Sequence, residues 1–477
     1  MIKSCTLEEI EKTSNLLISN EENKVLYGEV YTPLSFVKEI LDIIPEETFK
    51  NPYYKWLDPG SGIGNFTIIL YFRLLEGLEY VIPILEERKE HIIKNMLYLV
   101  ELRKENITVL KSLFGDDANI YDGDFLNYNV QSNSCLIKQQ IWPIKFDVII
   151  GNPPFNSGGL KKVPTNNKQE KKQDGITIWM AFIIKSISLL YDKTGKLCVF
   201  IPSIWLKPDK QKMYDYLRQY NIQSLNCISN TKTNQIFKGN AQTPSCYFLL
   251  TKHDSPNTMT IYDQDCNKYI NYYLNARDPI PVFGQEIIKK LQKFCYFPNN
   301  MNNAIMVIKS NMPPKKTIIS PTKTEECIYK NVTTCKLKYK TNIPELIVNY
   351  SNIPLAFSGV PKLILAHKMY GFPYFDIIGE YGISNRDNYI IIKENYSDLF
   401  KLQKFLSTKT ALYLFEATRY RMKYLEKYAF QLIPDITRLD DFPTEINDET
   451  IADYFKFDHS DQVAIQRLHK KTYSFFK

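Results

Sequence analysis

Asp58-Pro59-Gly60-Ser61-Gly62-Ile63-Gly64-Asn65-Phe66 directly follows the short strand-like run Lys55-Trp56-Leu57. It directly precedes a stretch in which Ile68, Ile69, Phe72 and Leu75 recur at helical spacing. Strand, glycine-rich turn and helix in that order open an α/β domain. Glycines at such a turn permit positive φ and let the backbone come close to a ligand. The acid at the strand end discriminates between ligands, because a carboxylate repels phosphate but pairs well with an ammonium. The G-x-G-x-x-G spacing of a dinucleotide turn is absent and the turn begins Asp-Pro, which disfavours a nicotinamide dehydrogenase. Taken alone, the turn is also compatible with a tight loop or another nucleotide site.

Outward from that turn, residues 56–252 alternate short apolar runs with amphipathic stretches, the rhythm of an α/β, Rossmann-like domain with a largely parallel sheet. Strands are expected at 55–57, 97–100, 146–150, 196–201 and 245–250, with helices between them. The long stretch 67–95 reads as one helix plus an added element. Beyond Asp263 the texture changes: Pro, Lys and Asn become frequent through 298–340, and strand-like runs follow at 362–366 and 389–392. Residues 400–432 read as long helices with aromatic and basic residues interleaved, among them Arg419, Tyr420, Arg421, Lys423 and Tyr424. The expected organisation is a first domain over 1–262 and an α+β domain over 263–477. There is no internal repeat.

A chain of 477 residues can bury the cores of two or three domains. With 44% apolar and 23% charged residues, gross disorder is excluded. The net charge of +8 suits a partner that carries phosphates, although the abundance of Lys, Asn, Ile and Tyr would also follow from an AT-biased coding sequence. Nine scattered cysteines without a C-x-x-C pair suggest neither a zinc site nor a disulfide framework, so no metal is expected. They fit a reducing compartment. The polar amino terminus, and the lack of an apolar run of the roughly 20 residues needed to cross a bilayer, point to a soluble intracellular protein without a membrane partner.

Asn152-Pro153-Pro154-Phe155 follows the expected strand at 146–150 and Gly151. Two prolines fix φ and leave few conformations, so they can hold the Asn152 carboxamide and the Pro153 carbonyl in one orientation. An amino group on an aromatic ring is a poor nucleophile, because its lone pair is delocalised into the ring. Two acceptors, one for each N–H, move that nitrogen toward tetrahedral geometry and free the lone pair without a strong base. Phe155 supplies a flat face on which a base can stack. The bland alternative is a rigid turn at a strand end.

Tyr31-Thr32-Pro33, the turn 58–66 and Asn152 to Phe155, in this order, resemble the amino-group DNA methyltransferases of the γ arrangement. The resemblance covers roughly 25–252. It implies an S-adenosylmethionine-dependent enzyme that methylates the exocyclic amine of a base turned out of duplex DNA, adenine N6 above all, with a target-recognition domain after the catalytic one. By the same resemblance Thr32 contacts the methionine carboxylate, Asp58 and Gly60 surround the amino-acid part, and Gly62 and Gly64 complete the turn. Glu101 accepts the ribose hydroxyls, Asp124 accepts from the cofactor's adenine amine and Phe125 lies beside that ring. Phe237 is the second aromatic wall for the target base opposite Phe155. The family usually shows about half the spacing found here between Asp58 and Glu101.

Residues 156–172 are polar and carry Lys161, Lys162, Lys168, Lys171 and Lys172. They read as a solvated loop that, beside Asn152, can close over the DNA backbone, with Lys161 and Lys162 as phosphate contacts. Only about 25 residues precede the first motif, so no nuclease domain is expected ahead of it, and a restriction endonuclease would be a separate partner. Within the same chemistry the rivals are a methyltransferase for RNA guanine or protein glutamine. From another class, the rival is a catalytically silent DNA-binding subunit.

Overall fold

The structure, a computed structural model, describes residues 2–14, 23, 26–128, 142–158, 175–275, 277–296, 302–338, 343–367, 372–421 and 425–467. The chain divides into two compact units. The first holds residues 1–205, 209–261 and 271–273, and the second 206–208, 262–270 and 274–477.

In the first unit the sheet runs through β1 (Trp56–Asp58), β2 (Leu97–Glu101), β3 (Asn119–Asp122), β4 (Val148–Gly151), β5 (Lys196–Pro202), β6 (Tyr220–Ile228) and β7 (Ser245–Asp254). β8 (Thr258–Asp263) and β9 (Lys268–Tyr273) extend it, and the spatial order is β9-β8-β6-β7-β5-β4-β1-β2-β3. From β5 to β3 every neighbouring pair is parallel. β7 lies antiparallel to both β5 and β6. Every residue of β1, β2 and β4 is buried, as a parallel sheet covered on both faces requires. Helix α1 (Leu34–Leu41) buries Leu34, Phe36, Val37, Ile40 and Leu41, and the Phe36 ring packs edge-on against Phe200 of β5 and Tyr247 of β7. Helix α2 (Asn65–Gly77) buries eight residues from Asn65 to Leu74.

After β1 the chain builds β2 and β3 on one side and then returns to lay β4 on the other. The strand order therefore reverses between β1 and β4. In open α/β sheets such a switch point, at the carboxyl ends of the strands, leaves a crevice for a ligand.

Several expectations are corrected in detail. The strand expected at 146–150 is Val148–Gly151. Phe146 makes only an isolated bridge to Leu190, while the Asp147 carboxylate accepts the Lys55 amide at 2.8 Å. Four strands of this sheet were not expected: β3, too polar to stand out, β6, whose apolar residues are interrupted by Asn221, Gln223, Ser224 and Asn226, and the edge strands β8 and β9, in which buried and exposed residues are mixed. The stretch 67–95 holds the rest of α2, a helix at Leu85–His91 and a π turn at Ile92–Met96.

The second unit contains two four-stranded sheets, ordered Ile308–Lys309, Asn388–Ile391, Lys362–Ala366, Tyr374–Asp376 and Ile319–Ser320, Pro344–Ser351, Tyr329–Leu337, Gly382–Ile383. Its helices include Gln285–Gln292, Tyr396–Leu406, Lys409–Ala417, Asp448–Phe455 and His459–Arg467. Lys362 is 0% exposed. Its Nζ donates to the Phe357 and Val360 carbonyls and to Asp376, which ties the segment before Lys362–Ala366 to the neighbouring strand. The long helices expected over 400–432 are two short ones. Ser407 breaks the run and Thr408 caps the next helix, its hydroxyl accepting the Ala411 amide. Arg419 pairs with Glu416 and the buried Tyr420 hydroxyl donates to the Ile280 carbonyl at 2.6 Å, so these side chains serve the unit's own packing. Lys423 and Tyr424 lie outside the described residues. Among the described residues no helix is long and apolar enough to cross a membrane.

Candidate active site at the strand ends

The turn after β1 takes its shape from two glycines. Gly62 has φ of 54° and Gly64, which caps α2, has φ of 92°. Both values are strained for any residue with a Cβ. Gly60 has no such constraint. A methyl placed on it would lie 3.7 Å from Pro154 and 3.9 Å from the Phe182 ring, ordinary van der Waals distances, so the turn lies beside the Asn-Pro-Pro segment without needing glycine at this position. The amides of the turn are already committed inside the protein: Ser61 N–H donates to the Val100 carbonyl at 3.0 Å, Gly62 N–H to Glu101 Oε2 at 2.8 Å and Gly64 N–H to the Ser61 carbonyl at 2.8 Å. The sequence suggested backbone amides approaching a ligand. Here the Ser61, Gly62 and Gly64 amides hold the turn and its neighbouring acid instead.

Asp58 closes β1 and is 4% exposed. Burial pushes its carboxyl up to about 7, partly opposed by the Thr67 hydroxyl, which donates to Oδ2 at 3.1 Å, and by the Gly60 amide, with Glu101 adding to the rise. Glu101, 8% exposed at the end of β2, is also pushed up by burial. The amides of Arg103 and Gly62 and the Asn106 side chain counter that rise, and both carboxylate oxygens accept from them. A carboxylate has about four acceptor positions and Glu101 uses three, so it keeps about one for a hydroxyl. Asp124, after β3, caps a short turn at Phe125–Asn127: its Oδ1 accepts the Leu126 amide at 2.8 Å and its Oδ2 the Asn127 side chain at 3.0 Å. Phe125 is buried with its ring 5.2 Å from that of Phe182, the same residue that faces Gly60. Contacts thus link the Asp124 turn to the glycine turn.

Asn152 follows β4 directly. Its Nδ2 donates to Thr32 Oγ1 at 3.1 Å, and Thr32, 4% exposed, receives Asn65 Nδ2 on its backbone carbonyl at 2.8 Å. Among the described residues, nothing donates to Asn152 Oδ1 or to the Pro153 carbonyl. Two acceptors on adjacent residues are therefore left for a ligand. Pro153 is buried, while Asn152, Pro154 and Phe155 are half-buried.

Phe155 rests against Phe200, centroids 6.0 Å apart, and Phe200 stacks on Phe237 at 5.6 Å. Phe237 is a correction. At 4% exposure it is core, packed between Phe200 and Phe36, and it backs the aromatic row instead of forming an opposite wall. Helix Asn230–Ile236 ends just before it, with Phe237 as its carboxyl-terminal cap. Lys161, Lys162, Lys168, Lys171 and Lys172 lie outside the described residues.

Three participants were not singled out in the sequence. Glu29 accepts from Arg103 and from Asn106, each at 2.6 Å, which fastens the segment ahead of Thr32 to the end of β2. Thr67 holds Asp58. Lys185 donates to the Leu126 carbonyl at 2.9 Å, with its ammonium 5.3 Å from the Phe125 ring. The Gly-Glu-Val-Tyr-Thr-Pro segment did contain Glu29, but no spacing rule connects it to residues more than seventy positions away.

The family model of the Eco57I restriction-modification methylases matches residues 75–237. Over this stretch the chain is similar to that methylase family. The matched methylase region takes in Glu101, Asp124, Asn152 to Phe155 and Phe237, and begins beyond Thr32 and the glycine-rich turn. Among curated proteins the chain is similar to an uncharacterized adenine-specific methylase of Mycoplasma pneumoniae, 26% identical over 319 residues, covering 50% of this chain and 70% of that protein. Among solved structures it is similar to the methyltransferase subunit of a type I restriction-modification system from Streptococcus thermophilus (16% identity, 51% of this chain, 50% of that one, TM-score 0.31). It is also similar to the M protein of the type I restriction enzyme EcoKI (16% identity, 49% and 48%, TM-score 0.35). The chain spans about half the length of these solved structures.

Proposed function

We propose that this chain transfers the methyl group of S-adenosylmethionine to the exocyclic N6 of adenine in a specific sequence of double-stranded DNA, acting on a base turned out of the helix. The observation that carries the reading is Asn152, whose carboxamide nitrogen is tethered to Thr32 while Oδ1 and the adjoining Pro153 carbonyl keep their acceptor capacity. Those oxygens draw the two N–H bonds of a planar amine aside and localise its lone pair. Phe155, backed by Phe200, offers a ring for stacking, a contact worth on the order of 1–3 kcal/mol. The reacting nitrogen is otherwise enclosed in a paired duplex, and base extrusion solves that problem of access.

The cofactor suits the residues at the strand ends. Two buried carboxylates, Asp58 and Glu101, end the neighbouring strands β1 and β2, which supports a cationic amino acid with a ribose as ligand, and the Ser61, Gly62 and Gly64 amides, already bonded within the protein, favour it over a pyrophosphate. S-adenosylmethionine, when bound, supplies a methyl group on a positively charged sulfur. Asp58 would hold the ammonium, Glu101 the ribose hydroxyls, and Asp124 with Phe125 the adenine. Similarity to a relative named as an adenine-specific methylase supports adenine as the target. Residues 263–477 would read the DNA sequence, and a separate restriction endonuclease would be the functional partner.

Transfer of tritiated methyl to duplex DNA tests the proposal, with modification-sensitive sequencing of DNA from cells expressing the protein to name base and site. Asn152→Ala should reduce transfer by about 10²- to 10³-fold, the usual cost of removing a donor or acceptor aimed at developing charge. Transfer confined to RNA or protein, or a fully active Asn152→Ala, would overturn it.

A further inference from the structure

The Asn152 carboxamide has two unlike ends. Oδ1 accepts and Nδ2 donates. A half-turn about the last side-chain bond exchanges them, and only one of the two orientations can accept the proton of a target amine. The prolines at 153 and 154 fix backbone φ and do not choose between the ends. The choice is made by a residue 120 positions earlier, Thr32, whose Oγ1 accepts from Asn152 Nδ2 at 3.1 Å.

Thr32 itself is firmly placed. It is buried, its carbonyl receives Asn65 Nδ2, and the next residue, Pro33, leads into α1 with its five buried side chains. Its hydroxyl, however, is both donor and acceptor. With its proton free, it could as well donate to a reversed carboxamide and hold Asn152 in the wrong sense. Once that proton is donated elsewhere, the oxygen can only accept, and Asn152 must present Nδ2 to Thr32 and Oδ1 to the target. An anionic acceptor takes a hydroxyl proton most strongly. S-adenosylmethionine has one anionic group, its carboxylate.

We propose that Thr32 is a positioning residue that couples the cofactor's carboxylate to the orientation of the Asn152 carboxamide, so that the acceptor for the target amine is set when the cofactor binds. The proposal rests on the methyltransferase reading above. Two measurements test it on the full chain. In the first, the side-chain amide protons of Asn152, identified by their loss in Asn152→Ala, are followed by NMR in asparagine-labelled protein. S-adenosylhomocysteine should shift them in the wild type and in Thr32→Ser. The decarboxylated analogue of S-adenosylhomocysteine should not, and neither ligand should shift them in Thr32→Val. In the second, Thr32→Val should lower kcat for methyl transfer to DNA roughly tenfold, the equilibrium equivalent of one neutral hydrogen bond, with KM for DNA little changed. Thr32→Ser should restore most of it. Equal shifts with both ligands, or a Thr32→Val enzyme with wild-type kcat, overturn the coupling while leaving the methyltransferase reading intact. A wild-type chain that binds no S-adenosylhomocysteine overturns both.

Discussion

At the scale of single residues, Asp58 carries the most consequential electrostatics. An aspartate in an unfolded chain ionises near 3.8, whereas burial keeps Asp58 protonated up to about 7 in the folded chain. Its contribution to folding is therefore fully present below about 3.8 and is lost as pH rises through about 7, because the unfolded state gives up its proton first. Asp58→Asn should flatten the pH dependence of thermal stability across that window, as read by melting in the absence of ligand. Ligand binding runs the other way, since an ammonium needs the carboxylate ionised. Affinity for S-adenosylhomocysteine should strengthen by about tenfold per pH unit below the Asp58 pKa and level off above it. A flat calorimetric profile from pH 5.5 to 8 would argue that Asp58 does not face the ammonium. The acid itself was readable in the sequence. Its burial was not, because that depends on Thr67, Gly151 and the neighbouring Glu101 arriving from other parts of the chain.

Between elements, the close approach of the segment at 26–30 to the chain after Asn152 depends on one glycine. Gly28 has φ of 70°, and a Cβ there would lie 2.1 Å from the Asn156 carbonyl oxygen and 3.2 Å from Pro154. The Gly158 amide donates to the Leu26 carbonyl at 3.1 Å, completing the junction. Gly115 has a comparable φ of 96° at the end of its helix, but a Cβ there would meet nothing within 4 Å. Gly115→Ala should cost about 1–3 kcal/mol from the backbone alone, since φ of 96° with ψ of 163° is a conformation that glycine alone adopts readily. Gly28→Ala should cost clearly more, and should also weaken methyl transfer, because the displaced carbonyl follows the Asn-Pro-Pro turn. Denaturant unfolding of both variants checks this, and equal losses would mean that the approach to Asn156 matters little. Sequence patterning read the fully buried strands β1, β2 and β4 and the largely buried β5 and β7, because apolar runs leave a clear signal. β3 escaped it: Asn119 is buried there only because its side chain bonds the carbonyls of Lys94 and Leu97 on the neighbouring strand and the turn before it.

For the whole molecule, a net charge of +8 on 477 residues is modest, so an encounter with DNA should be governed by local phosphate contacts more than by a strong overall field. Affinity for duplex DNA should fall with the logarithm of salt concentration, with a slope of about 0.9 per phosphate contacted. Asn152→Ala should leave that slope unchanged, since on the proposed reading this side chain meets a base and not the backbone. Fluorescence anisotropy titrations at several salt concentrations measure both, and salt-independent binding would speak against a phosphate-tracking surface.

By itself the amino-acid sequence determined the order of the motifs, the α/β rhythm that places an acid and an Asn-Pro-Pro turn at strand ends, and the kind of chemistry those residue types allow. These are local properties, set by dihedral restriction, periodicity and the functional groups of adjacent residues. Only the tertiary structure decided that the turn's amides are spent on the protein itself, that Phe237 is core, and that Thr32 grips one end of Asn152. Those facts depend on which distant side chains share a few ångströms of space. Any one such contact is a pairing among many that the same sequence pattern permits, and it is fixed only when the whole sheet and its helices have packed.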